Sequence, residues 1–144
     1  MAEVVSVGPV KVTYVHADPA SGYALLEWEA PPGATSPPVH VHHHTEEGFY
    51  VVSGTYRFLV AEETIECGPG GHVLVRARVP HTFWNSGEVA ARCLIILTPP
   101  DFAAYYREIA RELVNVNTDE DAVAARRRLS ARFDIEVVGA PITP

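Results

Sequence analysis

The chain has 144 residues, 47% hydrophobic and 20% charged, which suits one folded domain with a core that needs no staples. A formal net charge of −7 argues against nucleic acid as a partner, because phosphate binding needs a basic face. No apolar run approaches membrane-spanning length, and the N-terminus, with Glu3, Pro9 and Lys11, has no apolar signal core; a cytoplasmic protein with no membrane contact is expected.

From Val4 to Thr98 the sequence reads as short strands punctuated by turn residues. Val10 to Val15, Gly22 to Glu29 and Tyr56 to Val60 carry the strand signal, and the last shows the alternation of a half-buried strand. Breakers fall at Pro31-Pro32-Gly33, Pro37-Pro38, Ser53-Gly54, Gly68-Pro69-Gly70-Gly71 and Asn85-Ser86-Gly87. Many short strands with no helix between them imply a mainly-β antiparallel sandwich or barrel. Cys67 and Cys93 lie in apolar strand-like runs without zinc-ligand spacing and are read as reduced core thiols.

After Pro99-Pro100 the period changes. Asp101 is the expected N-cap of a helix carrying Phe102, Tyr105, Tyr106, Ile109 and Leu113 on one face. Thr118-Asp119-Glu120-Asp121 resembles a capping box that opens a second helix to about Phe133. Within it, Arg126-Arg127-Arg128 reads as a solvated face, and Ile135 to Gly139 form an extended tail. The two helices are expected to cover an open sheet edge or bridge to a second subunit. Residues 1–100 are therefore assigned to the β-barrel and 101–144 to a C-terminal helical extension of the same domain.

His40-Val41-His42-His43-His44-Thr45-Glu46-Glu47 places four imidazoles and two carboxylates in one short stretch. On an extended approach side chains alternate, so His40 and His42 point the same way, and a turn returns Glu47 as the next strand opens. Two imidazoles and a carboxylate suit a divalent first-row metal and leave positions open for water or substrate. His81, in Val79-Pro80-His81-Thr82-Phe83, is a fourth candidate ligand. By alternation His43 points away and His44 falls in the turn, so both are read as rim or exposed residues. His44 with Glu46 is the competing pair if the register shifts.

Two stretches together resemble the motifs of the cupin superfamily, in particular small single-domain, quercetinase-like cupins. The first runs from Gly33 to Gly54 and includes His40, His42 and Glu47; the second runs from Gly70 to Asn85 and includes His81. The usual Pro-x-Gly turn before the second-motif histidine is Arg76-Ala77-Arg78 here, and Gly33 sits one residue off the common spacing. The resemblance covers roughly residues 22–100. It implies a small antiparallel β-barrel or jelly roll of about six to eight strands, closed enough that separate strands supply one lumen. It further implies one divalent transition metal per chain (Fe, Mn, Ni, Co, Cu or Zn) on His40, His42, Glu47 and His81, and a homodimer.

Phe49, Val51, Tyr56, Phe58 and Phe83 share faces that would line the cavity and contact a small-molecule substrate. Tyr23 and Trp28 are candidates for the barrel mouth, while Trp84 is expected to pack away from His81. Arg57, Arg76 and Arg78 are candidates to orient a substrate carboxylate, with Arg57 ranked last because it should face outward. Three functions are open. The first is a metal-dependent dioxygenase acting on a small aromatic or enolic substrate. The second is a non-redox isomerase, lyase or cyclase, with Glu47, His72 or a tyrosine moving the proton. The third is a non-catalytic small-molecule-binding module.

Overall fold

The computed structural model describes residues 2–144. Eleven strands form two antiparallel sheets. The six-stranded sheet contains β1 (Glu3–Val7), β2 (Val10–His16), β3 (Ala24–Ala30), β5 (Glu46–Ser53), β8 (His72–Val75) and β10 (Ala91–Thr98), in the spatial order β1-β2-β3-β10-β5-β8. The other, of five strands, orders β11 (Glu136–Val137), β4 (His40–Val41), β9 (His81–Asn85), β6 (Tyr56–Val60) and β7 (Glu63–Cys67). The mainly-β jelly roll and the two C-terminal helices are as the sequence implies. The count exceeds the expected six to eight because an N-terminal hairpin and very short segments contribute strands.

Alternation decides which side chains enter the core. In β3, Ala24, Leu26, Trp28 and Ala30 are buried; in β10, Ala91, Cys93, Ile95 and Leu97 are. Cys67 and Cys93 are free and buried. Phe49, Phe58 and Phe83 pack as a ring cluster with centroids 4.8–5.7 Å apart. Tyr56 joins them and donates its hydroxyl to the Ala91 carbonyl at 2.7 Å, so its polar end is satisfied.

Two residues show why the motif positions carry the types they do. Gly54 turns the chain between β5 and β6 at φ +74°, and a Cβ there would lie 2.5 Å from the Ala91 Cβ. Asn85 ends β9 by donating to the carbonyls of Ala30 (3.0 Å) and Val89 (2.7 Å) while accepting from the Gly87 N–H (2.9 Å).

Beyond β10 the structure departs from expectation in three places. Asp101 is not a helix cap: a 3-10 turn, Pro100–Ala104, starts directly behind Pro99, with Asp101 in its first turn. Pro100 has a fixed φ and no N–H to satisfy, so the turn starts without a side-chain cap. Helix α1 (Tyr105–Leu113) continues from it, and α2 (Asp119–Leu129) opens on Thr118, whose hydroxyl accepts from the Asp121 N–H. Second, α2 ends at Leu129 rather than near Phe133: the N–H groups of Ser130 and Arg132 close back three residues, onto the Arg127 and Leu129 carbonyls, in the tightened pattern of a helix end. Third, the helices share the covering of sheet edges with the tail: α1 packs against β1, the edge strand of the six-stranded sheet, while β11 pairs with β4, Glu136 with Val41 and Val137 with His40. The helical segment also lies over the end of the barrel that holds the histidines, since Phe102, Tyr105, Tyr106 and Ile109 share a cavity with His40.

An exposed ion pair ties α1 to β1. Arg107 makes a bidentate contact with Glu3 at 2.8–2.9 Å and stacks over Tyr14, 4.1 Å from the ring centroid. The hydrogen bond from Arg107 holds the Glu3 carboxyl below its ordinary value. Folding therefore favours the ionised form: the contribution is complete above the unfolded pKa and fades as pH falls through the lower native value. Glu3→Gln should lower stability by about 0.5 kcal/mol at pH 7, with the difference fading as acid protonates the Glu3 carboxyl, read from urea midpoints at neutral and acid pH. Gly54→Ala should cost about 3 kcal/mol in the same assay, from left-handed backbone plus overlap with Ala91.

Candidate metal centre

Both sheets contribute to one cluster. His40 lies on β4, His42 just beyond it, and His81 opens β9, where it is the register partner of His40. Glu47 comes from β5 of the opposite sheet. One nitrogen from each histidine and one Glu47 oxygen all lie within 4.8 Å of one another, and none of the four residues is more than 6% exposed. His43 and His44 point outward and are exposed.

The backbone fixes how the imidazoles face. His40 Nδ1 lies 2.7 Å from the Pro38 carbonyl, His42 Nδ1 2.5 Å from that of Asp134, and His81 Nδ1 2.9 Å from that of Val79. A carbonyl only accepts, so each Nδ1 carries the proton and each Nε2 turns a lone pair inward. Those lone pairs meet the Glu47 carboxylate, which contacts His42 Nε2 and stands 3.3 Å from His81 Nε2. His42 Nε2 is fully enclosed yet has no hydrogen-bond partner of acceptable geometry.

The electrostatics point the same way. Burial and the neighbouring His81 and His42 push the His40 pKa well down. Burial works against the Glu47 carboxylate, but His42 and His81 outweigh it and hold the group well below the usual carboxylate range. Burial likewise opposes protonation of His42, and Glu47 beside it raises the pKa nonetheless. The centre thus favours a positive charge among its donors. A proton on His42 serves one ring, whereas a divalent ion serves three imidazoles and the carboxylate together. The donor set and the orphaned His42 Nε2 therefore fit one metal ion.

The tail holds this loop from outside. The Asp134 carboxylate accepts from the N–H groups of His43 (2.7 Å) and His44 (2.8 Å) and from the Thr45 hydroxyl (2.8 Å), while its carbonyl takes His42 Nδ1. Neighbouring Glu136 meets His43 Nε2 at 2.8 Å. On the barrel side, Arg78 occupies the departing position of the second motif at φ +70°, where glycine would be unstrained, and its N–H bonds the His42 carbonyl at 2.6 Å. Asp134 carried no signal in the sequence, because it reaches its partners from about ninety residues away.

A narrow cavity of about 20 Å³ adjoins the cluster, walled by Trp28, Phe83, Phe102, Tyr105 and Tyr106 with His40 and Glu47. Of the residues singled out as substrate contacts, Phe83 lies on this wall, whereas Phe49, Val51, Tyr56 and Phe58 sit in the core and are absent from it. Trp28 lines the cavity; Tyr23 is exposed and stacks on His16 with centroids 4.6 Å apart. Trp84 alternates away from His81. His72 is on the outer surface, and Arg57 and Arg76 pair with Glu66 and Glu46 there. Sequence reasoning missed Phe102, Tyr105, Tyr106 and Arg126 as cavity residues: the first three read only as a helix's apolar face.

Residues 26–97 match the family model described as the cupin domain. Among solved structures, a protein of Acidithiobacillus ferrooxidans assigned as a sugar phosphate isomerase is similar at 26% identity and TM-score 0.50, over 54% of this chain and 51% of that one. The chain thus spans about half the length of that relative. The Cnp3 cupin domain of Schizosaccharomyces pombe aligns at 19% identity and TM-score 0.59, covering 74% of each chain. KdgF from a Halomonas species aligns at 18% identity and TM-score 0.61, covering 67% of this chain and 86% of that one. These two likenesses concern the fold. No curated protein sequence matches the chain. No helix among the described residues is long and apolar enough to cross a membrane.

Removal of the carboxylate that holds the histidine loop should loosen the centre without touching a ligand. Asp134→Ala is expected to weaken metal binding by about 10- to 100-fold with the far-ultraviolet circular dichroism unchanged. Glu136→Gln, which loses only an exposed contact to His43, should leave affinity within about twofold. Competition with a chelating dye measures both.

Proposed function

This chain belongs to the cupin superfamily, and from that premise we propose that it is a metal-dependent enzyme of non-redox type, an isomerase or lyase acting on a small oxygen-bearing substrate. The observation that carries the reading is the buried set His40, His42, Glu47 and His81, of which His40 and Glu47 face a narrow cavity under α1. When bound, a divalent ion supplies Lewis-acid polarisation of a substrate oxygen. The chain supplies the rest. Phe83, Phe102 and Trp28 exclude water from the cavity, which strengthens every charge interaction inside it. Glu47 is the carboxylate on that wall and, beyond its place as a ligand, is the group positioned to take a substrate proton at its oxygen. With the helices in this position, the cavity admits only the small end of a ligand. The likeness to a sugar phosphate isomerase supports the same class.

A metal-dependent dioxygenase of the quercetinase-like type is the second reading. It is favoured by the aromatic wall of Phe83, Phe102 and Trp28 beside the same ligand set, which would suit an aromatic or enolic substrate.

Elemental analysis of protein purified without an affinity tag should give close to one transition metal per chain, lost in both His40→Ala and His81→Ala. Turnover of small hydroxy- or keto-substrates by the zinc-loaded form, undiminished under nitrogen, is the expected result. Oxygen uptake by iron-, manganese-, nickel- or cobalt-loaded protein on flavonols or diketones would replace this reading with the dioxygenase. Metal binding with neither activity would leave a small-molecule-binding module.

A further inference from the structure

The mouth of the barrel holds a polar feature that the metal centre does not use. An outer pocket of about 250 Å³ lies between the β1–β2 turn, the Thr35–Pro38 segment and the start of α2. It adjoins the inner cavity, and Val7, Trp28, Pro37, Pro38 and Arg126 stand in the walls of both. A ligand lodged in the outer pocket and reaching inward toward His40 and Glu47 would therefore pass Arg126.

Arg126 belongs to the run Arg126-Arg127-Arg128, yet its surroundings differ from those of its neighbours. Arg127 is exposed, and Arg128 pairs with Glu112 at 2.9 Å. Arg126 is half-buried, and no ion pair links it to a carboxylate among the described residues; its guanidinium bonds the Ala122 carbonyl of its own helix at 3.3 Å and stands close enough to the Tyr105 hydroxyl to act on it. A guanidinium held at a cavity wall with most of its donors unspent is an anion receptor. A second group stands on the same inner wall. Tyr105 is 4% exposed, and its hydroxyl oxygen is enclosed without a hydrogen-bond partner of good geometry. Buried hydroxyls are almost always bonded, so an unpartnered one lining a cavity marks where a ligand atom would sit. Burial pushes the Tyr105 phenol up to about 12, and Arg126 acts in the opposite direction through its charge and a hydrogen-bonding approach to the hydroxyl, so the two groups face each other at this wall.

We propose that Arg126 and Tyr105 form a carboxylate subsite, and that the substrate is a small monoanionic organic acid. Its acid group lies on Arg126 and Tyr105, and its oxygen-bearing end points toward His40 and Glu47. The planar fork of one guanidinium matches one carboxylate, and a phenol O–H adds a third donor. Asp119 on the outer pocket and Glu47 on the inner wall penalise a second negative charge, which disfavours a phosphate dianion. That the acid is a substrate rests on the enzymatic reading above; the subsite itself needs no metal.

The test is titration of metal-free and zinc-loaded full-length protein with benzoate, followed by tryptophan fluorescence and calorimetry. Trp28 lies in both walls and reports occupancy. Benzoate should bind both forms, with benzamide at least about tenfold weaker. Arg126→Gln should lose about tenfold or more in benzoate affinity and Tyr105→Phe several-fold, both with unchanged circular dichroism and metal content. No benzoate binding by the wild type, equal affinity in Arg126→Gln, or inorganic phosphate binding more tightly than benzoate would each overturn the subsite. Metal binding with no Arg126-dependent benzoate binding defeats the subsite and spares the metal centre. Arg126-dependent binding in a protein that takes up no metal defeats the enzymatic reading and leaves the subsite standing.

Discussion

Three imidazoles converge on the Glu47 carboxylate inside an apolar sandwich, and much of the architecture answers to that convergence. Burying a carboxylate is costly unless positive charge and donors meet it. The histidines come from one sheet and the carboxylate from the other, so the cluster joins the two layers where the core would otherwise be purely apolar. Each ring is aimed by a main-chain carbonyl at Nδ1, which costs the protein no further side chain and leaves Nε2 for the centre.

The C-terminal segment completes this arrangement from three directions. Its last strand covers the exposed edge of β4, where His40 sits. Asp134 fixes the backbone of His43 and His44, so the loop carrying His42 is held by a residue outside the barrel motifs. The turn at Pro100 and helix α1 bring Phe102, Tyr105 and Tyr106 over the lumen. The helices are therefore part of the wall of the site, and any motion of α1 or α2 changes what can reach His40 and Glu47. Among the polar contacts from α1 to the barrel is Arg107 with Glu3, which is exposed and weak, so apolar packing supplies most of the seal.

Local patterns showed the strands and the His40–Glu47 stretch because both are short-range features, whereas the joining of His81 to that stretch came from the resemblance to the cupin motifs. Strand alternation places His40 and His42 on one face, and Gly54 announces a turn that no side chain can enter. Asn85 marks the end of β9 by bonding groups that are near in sequence or across one ladder. The prolines misled at Asp101: a good capping residue follows them, yet Pro100 starts the turn by itself. The ring cluster misled in another way. Phe49 and Phe58 share the inward face of their strands with Phe83, and alternation cannot separate a core ring from one at the cavity wall.

The sequence by itself determined the mainly-β class, the two helices, and the ligand-type residues His40, His42 and Glu47, since periodicity and spacing act over a few residues; His81 joined them through the resemblance to the second cupin motif. Tertiary structure alone decided that Asp134 clamps the histidine loop, that α1 closes the lumen, and that Arg126 faces inward while Arg127 and Arg128 face water. Each of these depends on how α1, α2 and the tail dock against the barrel. That docking is set by the summed burial of Phe102, Ile109, Leu129 and Ile135 and leaves no local period to read.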